Sequence, residues 1–229
     1  GVLERVSRVG LEEEGLERTE DVLFGAAPGS PERIVENGVV YYADLTSGQK
    51  TGWYCDQRDN RSFVATLVEG KDVLDAFSYV GGFGLAAAKA GARSVRCIDS
   101  SEGALAMARR GAEENGVADR VVCDETNVLR ALDHDAKEGR LYDVVIVDPP
   151  KLVHRRMDRE KGLRLYSEIT RKAIGVVRDE GILVTCSCSR HVEEVDFEGA
   201  IASAAKDAYA RLQLVHRGGQ GGDHPVTLP

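Results

Sequence analysis

The sequence predicts an α/β protein in which an open, largely parallel sheet is covered by helices on both faces and preceded by a β-hairpin. Three observations lead there. From Lys71 onward, short β-prone runs alternate with helical ones, the pattern of consecutive βαβ units. Several of those runs end on an acid (Asp75, Asp99, Asp148), at the carboxyl edge where open parallel sheets bind ligands. Upstream, two β-prone runs flank Asn37-Gly38, the strongest short-range hairpin signal. At 229 residues the chain can bury one substantial core.

Gly1 to Gly29 is charged and weakly periodic, which predicts an extended arm or linker. Glu32–Glu36 and Val39–Ala43 form the hairpin strands, and a helix is expected from about Asp59 to Val68. Strands follow at Asp72–Ala76, Ser94–Ile98, Arg120–Cys123, Tyr142–Val147 and Gly181–Thr185, with a sixth at Arg211–Val215. Helices are expected at Gly82–Ala90, Ser101–Asn115, Arg159–Val177 and Val192–Tyr209, the second ended by Asn115-Gly116. Residues 1–60 are thus expected to form an arm, hairpin and linker subdomain, and residues 61–229 the sheet domain. The chain opens on Gly and stops where one further strand would complete the sheet, so it is read as a piece of a longer protein.

No apolar run approaches the roughly 18 residues of a membrane span, and the start is too charged for a signal peptide. Five unevenly spaced cysteines predict reduced thiols and a cytoplasmic protein. No metal site is expected, because Cys186, Cys188 and His191 lack a fourth ligand at standard zinc spacing. The net charge of −8 argues against a uniformly basic nucleic-acid surface. His154, Arg155, Arg156, Arg159, Lys161, Arg164, Arg171 and Lys172 nevertheless crowd the segment after Pro150. They read either as a phosphate-binding rim or as a solvated helix face balanced by Asp158, Glu160 and Glu168.

The loop from Asp75 to Gly84 joins the first strand of the repeat to its helix, and its glycines permit close backbone approach to a ligand. Its spacing is not that of a dinucleotide fingerprint, and Asp75 suits an ammonium-bearing ligand better than a pyrophosphate. Asp99 can accept from both hydroxyls of a ribose, which alone fits NAD as well as S-adenosylmethionine. Asn127 can bond an adenine edge or cap the next helix. Together the three outline an adenosyl-amino-acid ligand, with hydride transfer the weaker alternative.

Asp148-Pro149-Pro150-Lys151 and Ser187-Cys188-Ser189 follow neighbouring strands and face the same crevice. An acid that bonds a ring edge beside an attacking thiolate suits chemistry on an electron-poor nucleobase. Addition to carbon 6 of a pyrimidine makes carbon 5 nucleophilic, splitting a difficult substitution into easier steps. Cys188, past its strand end, is the better nucleophile; Cys186 shares its side of the strand and stays open.

Gly48-Gln49-Lys50-Thr51-Gly52-Trp53-Tyr54-Cys55-Asp56-Gln57-Arg58-Asp59-Asn60-Arg61 resembles the signature of RlmI-like methyltransferases. These S-adenosylmethionine-dependent enzymes form 5-methylcytosine in large-subunit ribosomal RNA. The Phe77-Ser78-Tyr79-Val80-Gly81-Gly82-Phe83 loop, the diproline motif, Ser187-Cys188-Ser189 and Asp223-His224-Pro225 match in the same order. The resemblance runs from about Glu32 to Pro225 and implies a Rossmann-like class I methyltransferase sheet. By it, Cys188 is the nucleophile, Asp148 orients the cytosine, Pro149 and Pro150 shape the base slot, and Lys151 is counted with Cys188, Asp148 and Pro149 among the catalytic residues. It likewise assigns cofactor binding to Asp75, Phe77, Ser78, Tyr79, Gly81, Gly82, Phe83, Asp99, Ser100, Asn127 and Asp148, with Gln57 and Arg58 closing over the site. The implied partner is RNA, and a homodimer is allowed. The family's N-terminal RNA-binding PUA domain is not in the sequence, and position 127 is Asn where many relatives carry Asp. The competing readings are a methyltransferase for another target, such as carbon 5 of uracil, and a non-catalytic S-adenosylmethionine-binding scaffold.

Overall fold

A computed structural model describes residues 2–5, 20–24, 29–45, 52–222 and 224. Gly48 to Thr51 of the first motif, with Asp223 and Pro225 of the last, lie outside the described residues. By internal contacts the chain divides into two units, residues 1–33 with 43–53 and residues 34–42 with 54–229.

The first unit contains β1 (Val2–Arg5) and β2 (Glu20–Phe24), which pair antiparallel with Val2 opposite Phe24 and Arg5 opposite Glu20. The expected extended arm is therefore partly a two-stranded sheet. Its partners are too far apart in sequence for a tight-turn signal, so nothing local marks the pairing.

β3 (Glu32–Glu36) and β4 (Val39–Ala43) form the predicted hairpin, with Asn37 at φ 51° and Gly38 at φ 77° in its turn. A two-residue turn of this hand needs positive φ at both positions, which Asn-Gly supplies at least cost. α1 (Arg58–Ala65) follows a single 3₁₀ turn at Cys55–Gln57.

Five parallel strands then build the sheet: β5 (Asp72–Ala76), β6 (Ser94–Asp99), β7 (Val121–Glu125), β8 (Tyr142–Val147) and β9 (Val177–Thr185). Their order is β7-β6-β5-β8-β9. The connecting helices are α2 (Gly82–Lys89), α3 (Glu102–Glu114), α4 (Val128–Lys137) and α5 (Arg159–Ile174), and α6 (Glu194–Asp207) follows β9. Chain progression reverses between β5 and β8, so the crevice for a ligand opens at the carboxyl ends of these two central strands.

Strand alternation explains why both faces are apolar. Leu74, Ala76, Ile98, Val145 and Val147 pack with Val128, Leu132, Ile169 and Ala173 from α4 and α5. The opposite face carries Asp75, Val95 and Cys97 and receives α2 so closely that Gly84 has no room for a Cβ, which would lie 2.5 Å from Cys97 Sγ. The hairpin is held to α3 through Asn115: Val40 N–H donates to its Oδ1 at 2.9 Å, and its Nδ2 donates to Val40 O at 2.7 Å. A residue read as a helix stop is thus also a docking point.

Two expectations are corrected. Residues 211–215 form no strand; Leu212, Leu214 and Val215 are 44%, 63% and 79% exposed, and β9 stands last in the sheet order with β8 as its one paired neighbour among the described residues. The helix expected to reach Val177 stops at Ile174 with Gly175 at its cap, which lets β9 begin at Val177. The pairing of β9 with β8 then skips from Val177 to Ile182, so that Ile182–Thr185 form the regular stretch and Gly181 falls in the irregularity before it.

Candidate active site

The loop after β5 is strained. Phe77 and Tyr79 adopt φ of 63° and 51°, with Gly81 at 77°. Left-handed backbone costs a bulky L-residue roughly 1–2 kcal/mol, and such strain concentrates at ligand-binding segments. Ser78 N–H donates to Ile98 O at 3.0 Å and Tyr79 N–H to Asp99 Oδ2 at 2.9 Å, tying the loop to β6, and Gly81 N–H donates to Ser78 O at 2.8 Å within it. Gly81 precedes α2 against α3, where an added Cβ would meet Ala108 Cβ at 3.1 Å. Gly82 and Phe83 open α2, whose first-turn N–H groups face the loop.

Asp75 is buried beneath this loop, and its Oδ2 accepts from Gly84 N–H at 2.7 Å. Burial raises its pKa to about 7, opposed by that hydrogen bond and reinforced by the charges of Asp148 and Asp99. A buried acid that ionises with such difficulty gains most from a cation placed nearby. Ser78 Oγ, also buried, has no oxygen or nitrogen partner among the described residues. Asp99 braces two backbone turns at once, its Oδ1 accepting from Ser101 N–H at 2.9 Å. Each oxygen keeps a lone pair for a ligand hydroxyl. Ser100 is exposed beside it. Asn127 sits past β7 and caps α4, its Oδ1 accepting from Arg130 N–H at 3.1 Å.

Across the switch point, Asp148 follows β8, with Pro149 buried behind it and Lys151 exposed. Gln57 reaches over from the turn before α1, its Nε2 donating to Asp148 Oδ2 at 3.5 Å. Asn60 fixes the Gln57 amide by donating to its Oε1 at 2.6 Å. Arg58 turns to Asp59 at 3.4 Å and lies at the surface. Arg61, from the same motif, is buried in a bidentate pair with Glu36 at 2.7 and 2.8 Å and also holds Tyr54 O. One half of the motif is therefore structural, and the Gln57 half faces the crevice.

The two cysteines differ in setting. Cys186 extends the ladder of β9, its N–H bonding Val147 O at 3.0 Å. Burial, then the Asp148 carboxylate, pushes its thiol well above the ordinary range. A thiol so disfavoured as thiolate is a poor nucleophile. Cys188 lies beyond the strand, half-buried, between Ser187 and Ser189.

Tyr166 of α5 holds that loop. Ser187 Oγ donates to its hydroxyl at 2.9 Å, and Ser189 Oγ shares a hydrogen with it at 2.9 Å. Ser189 Oγ also accepts from Leu152 and Val153 N–H, each at 3.2 Å, tying the cysteine loop to the segment after the diproline. Gly162 admits this segment, since a Cβ there would strike Val153 Cγ2 at 2.2 Å. Tyr54 stands edge-on to Tyr79 at 5.8 Å, and Cys188 and Asp148 lie within its electrostatic reach. Sequence reasoning had not singled out Tyr54, Tyr166 or Ser189. Tyr54 sat inside a quoted motif, whereas Tyr166 reads as one more core residue of an amphipathic helix.

The structure thus gathers Asp75, Asp148, Gln57, Cys186 and Cys188 about one crevice, with the strained loop and Asp99 on its β6 side. Lys151 is exposed, and Arg58 is partly exposed beside Asp59.

Residues 21–225 match the family model of S-adenosylmethionine-dependent methyltransferases. The chain is 40% identical over 227 residues to a Shewanella denitrificans protein named ribosomal RNA large subunit methyltransferase I, covering 99% of this chain and 57% of that protein. The Photobacterium profundum protein of the same name is 38% identical over 226 residues, covering 98% of this chain and 57% of that protein. The chain therefore spans 57% of the length of these curated relatives. Among solved structures, a methyltransferase complexed with SAH superposes with a TM-score of 0.79 at 21% identity, over 91% of this chain and 55% of that one. A SAM-dependent methyltransferase from Streptococcus mutans gives 0.73 at 24% identity, over 81% and 49%. These two likenesses establish the shared fold.

Proposed function

The chain belongs to the S-adenosylmethionine-dependent methyltransferase family, and from that premise we propose that it methylates carbon 5 of a cytosine in large-subunit ribosomal RNA through a covalent adduct with Cys188. The observation that carries the proposal is the convergence of the half-buried Cys188 thiol with Asp148 at the β5/β8 switch point, beside the strained loop after β5. The names of the relatives supply the class of RNA.

The residues fit S-adenosylmethionine. Buried Asp75 compensates a cationic amino-acid end, and Ser78 Oγ supplies a polar atom. The strained backbone from Phe77 to Gly81 makes close approach, Asp99 accepts from the ribose, and Ser100 and Asn127 border the adenine side. When bound, the cofactor supplies an electrophilic methyl group.

The chain's own groups do the remainder. Asp148 accepts from the exocyclic amine and orients the ring, while Pro149 sets the rigid backbone of the slot. The Cys188 thiolate forms a bond to carbon 6, and the displaced electron pair makes carbon 5 nucleophilic. Once carbon 5 carries the methyl group, loss of its proton returns electrons to the ring, and the bond between sulfur and carbon 6 breaks. Gln57 holds Asp148 from above, and Tyr166 keeps Cys188 at the strand end.

The test is transfer of labelled methyl to large-subunit ribosomal RNA, followed by digestion to nucleosides. Label in 5-methylcytidine is expected. Label in 5-methyluridine would move the target to uracil, and binding of S-adenosylmethionine without transfer would favour a scaffold.

A further inference from the structure

Resting on the RNA reading above, we propose that the loops on either side of Cys188 form a phosphate-binding rim for the single-stranded RNA flanking the target nucleotide. Ser189 Oγ joins the two loops by accepting from Leu152 and Val153 N–H, so residues that follow different strands share one edge of the crevice. Outward from that junction, His154, Arg155 and Arg156 are exposed on one loop, and Arg190 and His191 on the other.

Among the described residues, no ion pair engages Arg155, Arg156 or Arg190. Their cationic neighbours differ. Arg159 is paired with Asp196, and Arg217 with Glu194 at 2.8 Å and Glu198 at 2.7 Å. The nearby acids Asp196 and Glu194 are thereby occupied, while Asp158 and Glu193 stand at the starts of α5 and α6. In a chain of net charge −8, these guanidinium groups on both sides of the candidate nucleophile have no ion-pair partner among the described residues. A phosphate presents the paired oxygens that a guanidinium fork matches. Contacts of this type are indifferent to sequence; they hold a strand in register while the pocket reads the base.

The test measures binding of a fluorescent single-stranded RNA over a salt series, using the full chain and its Arg155→Ala/Arg156→Ala/Arg190→Ala variant. Lys206→Ala, on the last turn of α6, serves as a control for general charge loss. Each single-stranded phosphate contact contributes about 0.7 to the slope of log affinity against log salt, so the triple variant is expected to flatten the slope by about 2. Its affinity at low salt should fall at least roughly tenfold. S-adenosylmethionine affinity and melting temperature should stay at wild-type values, with Lys206→Ala unchanged throughout. RNA binding by the triple variant with wild-type affinity and slope overturns the rim and leaves the RNA reading standing. S-adenosylmethionine binding with no RNA binding by the wild-type chain overturns that reading and the rim with it.

Discussion

At the scale of single residues, Tyr166 carries more than its place in a helix declares. It is 1% exposed, its ring stacks edge-on with Phe197 at 5.1 Å, and its hydroxyl bonds both serines flanking Cys188. Tyr166→Phe keeps the packing and removes the tie. Unfolding free energy should fall by about 1–2 kcal/mol, the worth of a buried hydrogen bond left unmade. Methyl transfer should fall roughly tenfold or more while S-adenosylmethionine affinity holds, because only the cysteine loop is released. Equal losses of both, in titration calorimetry and a transfer assay, would reduce Tyr166 to a packing residue. Asp75 makes a different prediction. Its pKa is raised to about 7 from an ordinary carboxylate value, so the folded protein holds that proton more tightly than the unfolded chain. Stability from this group is present below about pH 4 and is lost as pH rises toward about 7, by a few kcal/mol. Urea unfolding of the ligand-free protein across that interval should show the decline, and Asp75→Asn should lack it. Asp75 was legible in the sequence because it ends a strand. Tyr166 was not, because its meaning depends on a loop more than twenty residues away.

At the scale of elements, α5 meets the diproline segment through a glycine whose replacement sets two effects against each other. Alanine at 162 gains about 1 kcal/mol of helix propensity. A Cβ 2.2 Å from Val153 Cγ2 and 3.3 Å from Leu152 O forces the segment to move, costing about 1–3 kcal/mol. The clash should win: Gly162→Ala should lower thermal stability and methyl transfer together, whereas a rise in melting temperature would show that the contact yields easily. The opposite edge of the sheet is an ion cluster. Asp72, at the start of β5, accepts from Arg93 at 2.8 and 2.6 Å, Ser94 at 2.8 Å and Arg178 at 3.2 Å. The hydrogen bond from Arg93 leads in depressing its carboxyl far below the usual range, against a smaller opposing effect of burial. Stability from Asp72 is therefore present above about pH 4 and lost as pH falls below it. Asp72→Asn should cost about 1–2 kcal/mol near neutrality and almost nothing in strong acid, read by denaturant unfolding at both. The strands themselves were legible because each apolar run is bounded by acids or glycines. Residues 211–215 misled because β propensity reflects packing on a half-buried sheet surface, and these residues stay exposed. The β1–β2 pairing left no trace because its partners are distant in sequence.

At the scale of the whole molecule, the five-stranded order places Asp75 in β5 and Asp148 just past β8, on either side of the switch point, so fold and site share one cause. Alternating strands and helices predicted acids at the carboxyl edge of the sheet, while the strand order that sets β5 beside β8 came from the structure. The division of labour within the site depended on three-dimensional surroundings: Cys186 continuing the β9 ladder with its thiol pushed up by burial and the Asp148 carboxylate, Cys188 past the end of that strand, and the first motif split between a buried Arg61–Glu36 pair and a Gln57 that bonds Asp148. The central claim is that Cys188 bonds to a cytosine while the methyl group is delivered. It is tested most directly by incubating the chain with S-adenosylmethionine and RNA carrying 5-fluorocytosine, then denaturing and looking for protein joined to RNA. Fluorine at carbon 5 blocks the final proton loss, so the adduct should accumulate with the wild-type chain and with Cys186→Ala, and be absent with Cys188→Ala. An adduct that survives in Cys188→Ala, or methylated RNA formed by that variant, would contradict the account.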